Sequence, residues 1–156
     1  MASNSIVMGL AALVFCTWSV SLAGIASIQE QCDTTWHDML AGVNGFSADL
    51  PCYKVFRYHW FIVCLECALI FGLAGALATG VFAKTRLSWM GLFCVATLLY
   101  IQMTDTFLTM HGVSEDLSGQ IKHRVRTMVA GTIMTSTVNC FLVIALGMNA
   151  EEPTPT

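Results

Sequence analysis

Four apolar stretches, each long enough to cross a lipid bilayer, constrain the fold of this chain more than any other feature. We place them at about residues 6–28, 58–83, 88–110 and 127–148. A hydrocarbon core of about 30 Å needs about 20 apolar residues as a helix, and a helix satisfies its own backbone hydrogen bonds inside lipid. The sequence therefore predicts an all-α integral membrane protein, a four-transmembrane-helix bundle with a long loop between helices 1 and 2.

Composition supports a membrane protein over a soluble domain. Of the 156 residues, 56% are hydrophobic and 11% are charged, whereas soluble domains carry about 25% charged residues. A net charge of −3 leaves no basic region for nucleic acid. We predict one transmembrane domain over residues 1–148, in contact with membrane lipid, and a disordered tail over residues 149–156.

Polar residues in the apolar stretches mark the candidate site. Asp105 lies in the third stretch, and a carboxylic acid in a span is costly unless it faces protein or water. Counting about 1.5 Å per residue along each helix puts most of these polar residues beneath the same membrane surface, the one that carries the long loop. The predicted pore lining or polar vestibule consists of Glu66, Gln102, Asp105, Thr109, Thr135, Asn139 and His59. We expect this vestibule to narrow into an apolar inner half.

Each of these residues also has a purely structural interpretation. Asp105 and Glu66 could pair with Arg57 or Arg126 and hold helices together without any transport. The threonines and Asn139 could form interhelical hydrogen bonds, each contributing about 0.6–2 kcal/mol. The histidine spacings match no zinc motif, and no nucleophile–base pair is evident. We therefore predict no metal site, no cofactor and no enzymatic activity.

Basic residues on the loop side form a predicted rim, consisting of Lys54, Arg57 and Arg126. Such residues commonly anchor to lipid head groups. They could also gather an anion such as bicarbonate at the mouth of a path.

The second stretch repeats small residues every four positions, namely Ala68, Gly72, Ala76 and Gly80. This pattern is typical of close helix–helix contact in lipid. The following residues 84–86 are polar, and we interpret them as a short connection that makes helices 2 and 3 antiparallel neighbours.

Two cysteines, Cys32 and Cys52, lie in the long loop, and we predict a disulfide between them. Closing this loop would stabilise the fold by about 3 kcal/mol in the chain-entropy model. The other five cysteines lie in apolar stretches, where cysteine packs as a small hydrophobic residue.

Two features of the sequence predict opposite orientations of the protein in the membrane. The loop-one side carries five of the seven Lys and Arg residues, and the positive-inside rule would place that side in the cytoplasm. A disulfide implies an oxidising compartment for the same loop. We follow the disulfide and expect cytoplasmic termini.

Several segments resemble a known family. The loop segments QCDTTWHDML and DLPCYKVFRYHW, the second-span segment FGLAGALATG and the third-span segment YIQMTDTFLTMHG are similar to the small low-CO2-inducible plasma-membrane proteins of green algae. The resemblance implies a plasma-membrane CO2 channel of a carbon-concentrating mechanism, built as a homotrimer whose protomers each hold a path. This chain departs from the family in being shorter and acidic, and no site residue is transferred from it.

Three functions follow as hypotheses. The first is a channel that passes CO2 or a similar small neutral solute and contributes to inorganic carbon uptake. The second is a bicarbonate or proton-coupled small-solute transporter, because buried carboxylates and histidines form proton relays. The third is a tetraspan scaffold similar to claudin or MARVEL proteins.

Overall fold

The computed structural model describes residues 2–32, 40, 43, 46, 50–113 and 120–148. This part of the chain is helical and contains no strand. Its long helices are α1 (Ala2–Glu30), α2 (Arg57–Ala78), α3 (Phe82–Val113) and α4 (Gln120–Met148). Each is long and apolar enough to cross a membrane. The predicted four-helix membrane fold is confirmed.

The connection between α1 and α2 is described only in part. A single helical turn, Cys52–Val55, lies just before α2. Leu40 and Val43 are buried, and Phe46 packs against the core of the bundle. His37, the other residues of this loop and the tail at 149–156 lie outside the described residues. The predicted long loop therefore stays a prediction.

The four helices form a ring in which the main contacts run from α1 to α4, α4 to α3, α3 to α2 and α2 back to α1. The α1–α4 and α3–α4 contacts are the most extensive, and α2 is held less tightly on both sides. Helices on opposite sides of the ring therefore touch only through a few long side chains.

Small residues set the tight crossing of α1 and α4. A Cβ atom added at Gly131 would lie 2.7 Å from the backbone nitrogen of Ser21. One added at Gly24 would lie 2.8 Å from the Cα of Met128. Backbones can approach this closely in lipid only where side chains are small, and the close approach increases the dispersion attraction between the helices.

The turn between α2 and α3 comes earlier than predicted. Gly80 has a φ of +72°, a conformation that glycine adopts readily and that commonly ends a helix. Helix α2 therefore ends at Ala78 instead of residue 83. Residues 84–86, which we predicted as the connection, belong to the first turns of α3.

The small-residue pattern of the second span has a different outcome at each position. A Cβ at Gly72 would lie 2.6 Å from the Cη2 atom of Trp89, so this glycine admits the indole ring of α3. Ala76 packs against the core, whereas Ala68 and Gly80 are exposed. The contact with α3 thus depends on one glycine and one large aromatic side chain.

Replacing Gly131 by alanine tests the α1–α4 crossing. We expect the Gly131→Ala variant to lose about 1–3 kcal/mol of unfolding free energy, because the added methyl group overlaps the Ser21 backbone, which cannot rotate away. Denaturant titration followed by circular dichroism in detergent micelles measures this change. Gly91→Ala is the matched control, since a Cβ there meets no atom within 4 Å. Equal stability of the two variants would contradict the close approach.

Candidate functional site

A hydrogen bond between α2 and α4 crosses the middle of the bundle. The side-chain amide nitrogen Nδ2 of Asn139 donates to Oε1 of Glu66 at 2.9 Å. Both side chains have 0% exposure. Because α2 and α4 lie opposite each other in the ring, this bond passes through the interior of the protein.

The remaining two helices also contribute polar groups to this interior. The hydroxyl groups of Ser21 on α1 and Thr135 on α4 lie 3.3 Å apart. The hydroxyl group of Tyr100 on α3 lies near Ser21 and Glu66 without a hydrogen bond to either side chain. We call Ser21, Glu66, Tyr100, Thr135 and Asn139 the central cluster.

Three oxygen atoms of the central cluster have no hydrogen-bond partner among the described residues. They are Oε2 of Glu66, Oδ1 of Asn139 and the hydroxyl oxygen of Tyr100. A buried polar atom without a partner costs about 1–3 kcal/mol. Such atoms in a membrane protein mark a place where a solute, a water molecule or a proton supplies the missing bond.

The central cluster lies near the middle of the bilayer. Glu66 is nine residues from Arg57, the first residue of the 22-residue helix α2. At about 1.5 Å per residue, the carboxyl group lies about 13 Å along a helix of about 33 Å.

His59 lies two helical turns above Glu66, on the same buried face of α2. Its side chain has 1% exposure, and its Nδ1 atom has no partner among the described residues. Aromatic rings surround it, with centroid distances of 5.0 Å to Phe46, 5.2 Å to Phe107 and 5.9 Å to Tyr58. The loop-side end of the interior is thus closed by aromatic side chains, and it is not the open polar vestibule that we expected.

The polar residues of the third span are placed differently from the prediction. Gln102, Asp105 and Thr109 are exposed on the outer surface of the bundle. The buried face of α3 is instead formed by mostly apolar residues at alternating three- and four-residue spacing, namely Ala96, Tyr100, Met103, Phe107 and Met110. Gln102, Asp105 and Thr109 share one helical face, as their spacing predicts, but that face points away from the interior. These three residues do not line the inside of one protomer.

Asp105 lies level with the loop-side end of α2. The hydroxyl group of Tyr58, the second residue of α2, donates to Oε1 of Gln102 at 3.2 Å. This contact places the following turn of α3, with Asp105, level with the loop-side end of α2. The carboxylate is exposed on the outside of the bundle at that level, so it does not face the interior of one protomer.

The structural alternatives are resolved for several residues. Glu66 pairs with Asn139 and not with an arginine, and the ion pair seen among the described residues joins Arg124 to Glu30 at 3.2 Å. Most threonines of α4 bond within their own helix, as Thr132 does to the Val129 carbonyl at 3.0 Å. Thr135 bonds the Gly131 carbonyl at 2.8 Å and also faces Ser21.

The residues of the predicted basic rim lie at the loop-side end. Lys54 and Arg57 are exposed, and the Lys54 ammonium lies 5.5 Å from the centroid of the Tyr53 ring. The Nε atom of Arg126 donates to Nε2 of His111 at 3.0 Å. This bond joins α4 to α3.

The interior on the terminal side of the cluster is mostly apolar, although Thr17 and Thr97 are also buried there. Its buried residues include Val7, Val14, Leu73, Leu142 and Leu146. An open apolar groove of ≈ 570 Å³ lies between α1 and α2 near this end, lined by residues such as Phe15 and Phe71. No residue of the central cluster lines this groove, so we do not place the solute site there.

The predicted disulfide between Cys32 and Cys52 lies partly outside the described residues. Cys32 is partly buried, and the side chain of Cys52 lies outside the described residues. The free cysteines among the described residues are Cys16, Cys64, Cys67, Cys94 and Cys140. Cys64 is exposed and Cys67 is partly buried, and the pair belongs to a helix in the membrane, which fits a packing role.

Sequence reasoning missed two members of the central cluster, Ser21 and Tyr100. Ser21 is one of several hydroxyl residues in the first stretch, and Tyr100 lies beside the polar residues of the third, so neither carries a distinctive signal of its own. The prediction relied instead on the regularly spaced polar residues of the third span, Gln102, Asp105 and Thr109.

A double-mutant cycle tests the bond across the bundle. We expect Glu66→Leu and Asn139→Leu each to destabilise the protein, and the double variant to lose less than their sum, with a coupling of about 0.6–2 kcal/mol. Unfolding free energies in mixed micelles supply the numbers. Glu66→Leu combined with Thr137→Val is the matched control, because Thr137 lies on the same helix as Asn139 but is exposed. Additive losses in the Glu66/Asn139 cycle would mean that the two side chains do not interact.

Comparison with known proteins gives one informative match. No family model matches this chain, and no curated protein matches its sequence. The crystal structure of the LCI1 channel of Chlamydomonas reinhardtii is similar, with a TM-score of 0.76 and 16% sequence identity. The match covers 92% of this chain and 97% of that chain. The chain therefore shares its fold with an algal channel, as the resemblance in sequence led us to expect.

Proposed function

We propose that this protein is a membrane channel that passes CO2 or a similar small neutral solute and contributes to inorganic carbon uptake. The observation that carries the proposal is the central cluster, to which all four helices contribute polar groups. Three of its oxygen atoms lack partners among the described residues. Polar groups at this depth are expensive to bury and are usually retained for function.

The path that we propose runs along the axis of a single protomer. It begins at His59 and its aromatic neighbours, passes the Glu66–Asn139 pair and continues between the apolar side chains of the terminal half. A neutral molecule needs no charged filter, and a narrow apolar segment passes it while water and ions cross poorly. Opening requires the aromatic side chains around His59 to move, because they close the loop-side end in this conformation.

The assembly and location belong to the same proposal. We infer a homotrimer in the plasma membrane with cytoplasmic termini, each protomer holding its own path. The basic residues Lys54, Arg57 and Arg126 at the loop-side mouth would gather bicarbonate, which must lose hydroxide before it passes as CO2. This part of the proposal depends on the resemblance to the algal family.

A second candidate, a proton-coupled small-solute transporter, is favoured by one specific observation. His59 and Glu66 share the buried face of α2, and each has a titratable atom without a partner among the described residues. At about 1.5 Å per residue, seven residues separate them by about 10 Å along the helix. Such a pair could pass protons by way of water, in which case transport would follow a pH gradient.

Flux measurements in proteoliposomes test the channel. We expect the wild-type protein to raise CO2 entry above that of empty liposomes, and Glu66→Leu to lose most of this increase, because the leucine fills the interior and removes the polar step. An internal pH dye together with internal carbonic anhydrase reports CO2 entry. Asp105→Leu should keep the wild-type flux, since Asp105 lies outside the bundle.

Three results would count against the channel. Flux no higher than in empty liposomes would end the proposal. Equal flux in wild type and a folded Glu66→Leu variant would remove the central cluster from the path. Transport that appears only with an imposed pH gradient would favour the proton-coupled alternative.

Thiol counting tests the proposed disulfide. The chain has seven cysteines, five of which are free among the described residues. We expect denatured, unreduced protein to take up alkylating reagent at five sites, and reduced protein at seven, by intact-mass measurement. Replacing both Cys32 and Cys52 by serine should leave five sites in either condition. Seven reactive sites before reduction would contradict the disulfide.

A further inference from the structure

The Glu66–Asn139 pair is incomplete as a hydrogen-bonded unit. One bond is present, from Nδ2 of Asn139 to Oε1 of Glu66 at 2.9 Å. The two remaining oxygen atoms, Oε2 of Glu66 and Oδ1 of Asn139, have no partner among the described residues. If Glu66 is ionised, both of these oxygens are acceptors, and neither can satisfy the other.

A single proton completes the pair. We propose that Glu66 and Asn139 form a proton-binding site, in which Oε2 of Glu66 carries a proton and donates a hydrogen bond to Oδ1 of Asn139. An acid and an amide then share two hydrogen bonds in opposite directions. The terminal torsion of a glutamate side chain is soft, so the carboxyl group can rotate to align the second bond. The proton comes from bulk water and returns there when the site is emptied.

The surroundings of the pair supply no alternative neutralising charge. Among the described residues, no lysine or arginine lies in ion-pair contact with Glu66. The titratable groups around the cluster are Tyr100 on α3 together with Cys64, Cys67 and His59 on α2 itself. Helices α1 and α4 contribute the uncharged hydroxyls of Ser21 and Thr135 and the amide of Asn139.

Burial makes the ionised form of this pair costly. Both side chains have 0% exposure and lie near the middle of the membrane span. A buried carboxylate without a cation bears a large desolvation penalty, whereas a neutral acid with both oxygens bonded does not.

The proposed proton has a structural consequence. Two bonds, not one, then join α2 to α4, the helices on opposite sides of the ring. Loss of the proton would remove one bond and place two acceptor oxygens against each other. The site therefore couples proton occupancy to the contact across the interior, and this coupling does not depend on which solute the protein passes.

Infrared spectroscopy of the full-length protein in lipid at neutral pH tests the site. We expect the carbonyl band of a protonated carboxyl group in wild type, its loss in Glu66→Gln, and its retention in Asp105→Asn. Asn139→Leu should shift the band to higher frequency, because the acid loses both hydrogen bonds. Carbon-13 labelling of glutamate moves a glutamate band but not an aspartate band, and so separates the two residue types without any substitution.

The outcomes separate this inference from the proposed channel. A wild-type spectrum without the band, or a band that persists in Glu66→Gln, would overturn the proton site. A Glu66 band that Asn139→Leu leaves unshifted would overturn the paired geometry. None of these readouts involves flux, so failure of the channel proposal would leave them unchanged.

Discussion

The hydrogen bond from Asn139 to Glu66 is the interaction on which the interior of this protein depends. It joins two helices that otherwise have little contact, and it does so near the middle of a membrane span. In lipid, apolar side chains gain nothing from facing each other instead of hydrocarbon, so packing and polar bonds hold the helices together. The close α1–α4 crossing at Ser21 and Gly131 provides the packing, and the Asn139–Glu66 hydrogen bond provides the polar contact across the ring.

These two features also explain the position of the other polar groups. The tight crossing brings Ser21 and Thr135 to 3.3 Å and places them beside the Glu66–Asn139 pair. Helix α2 packs less extensively against its neighbours than α4 does. Because His59 and Glu66 lie on the buried face of that same helix, a movement of α2 would affect the aromatic closure and the central cluster together.

The sequence alone predicted the number of spans and the helical class, because hydropathy over about 20 residues is a strong signal. It also identified Glu66, Asn139, Thr135 and His59 as candidates. It grouped Gln102, Asp105 and Thr109 with the lining, whereas in one protomer they are exposed on the outer surface, because periodicity shows that residues share a face but not which way that face points.

The central claim is that the path runs inside a single bundle, past the Glu66–Asn139 pair. Crystals of the protein pressurised with CO2 would show most directly where the permeant binds. Our account predicts density for CO2 beside Glu66 and Asn139 within one protomer. Density confined to the apolar groove beside Phe15 and Phe71, or to the space between protomers, would contradict it.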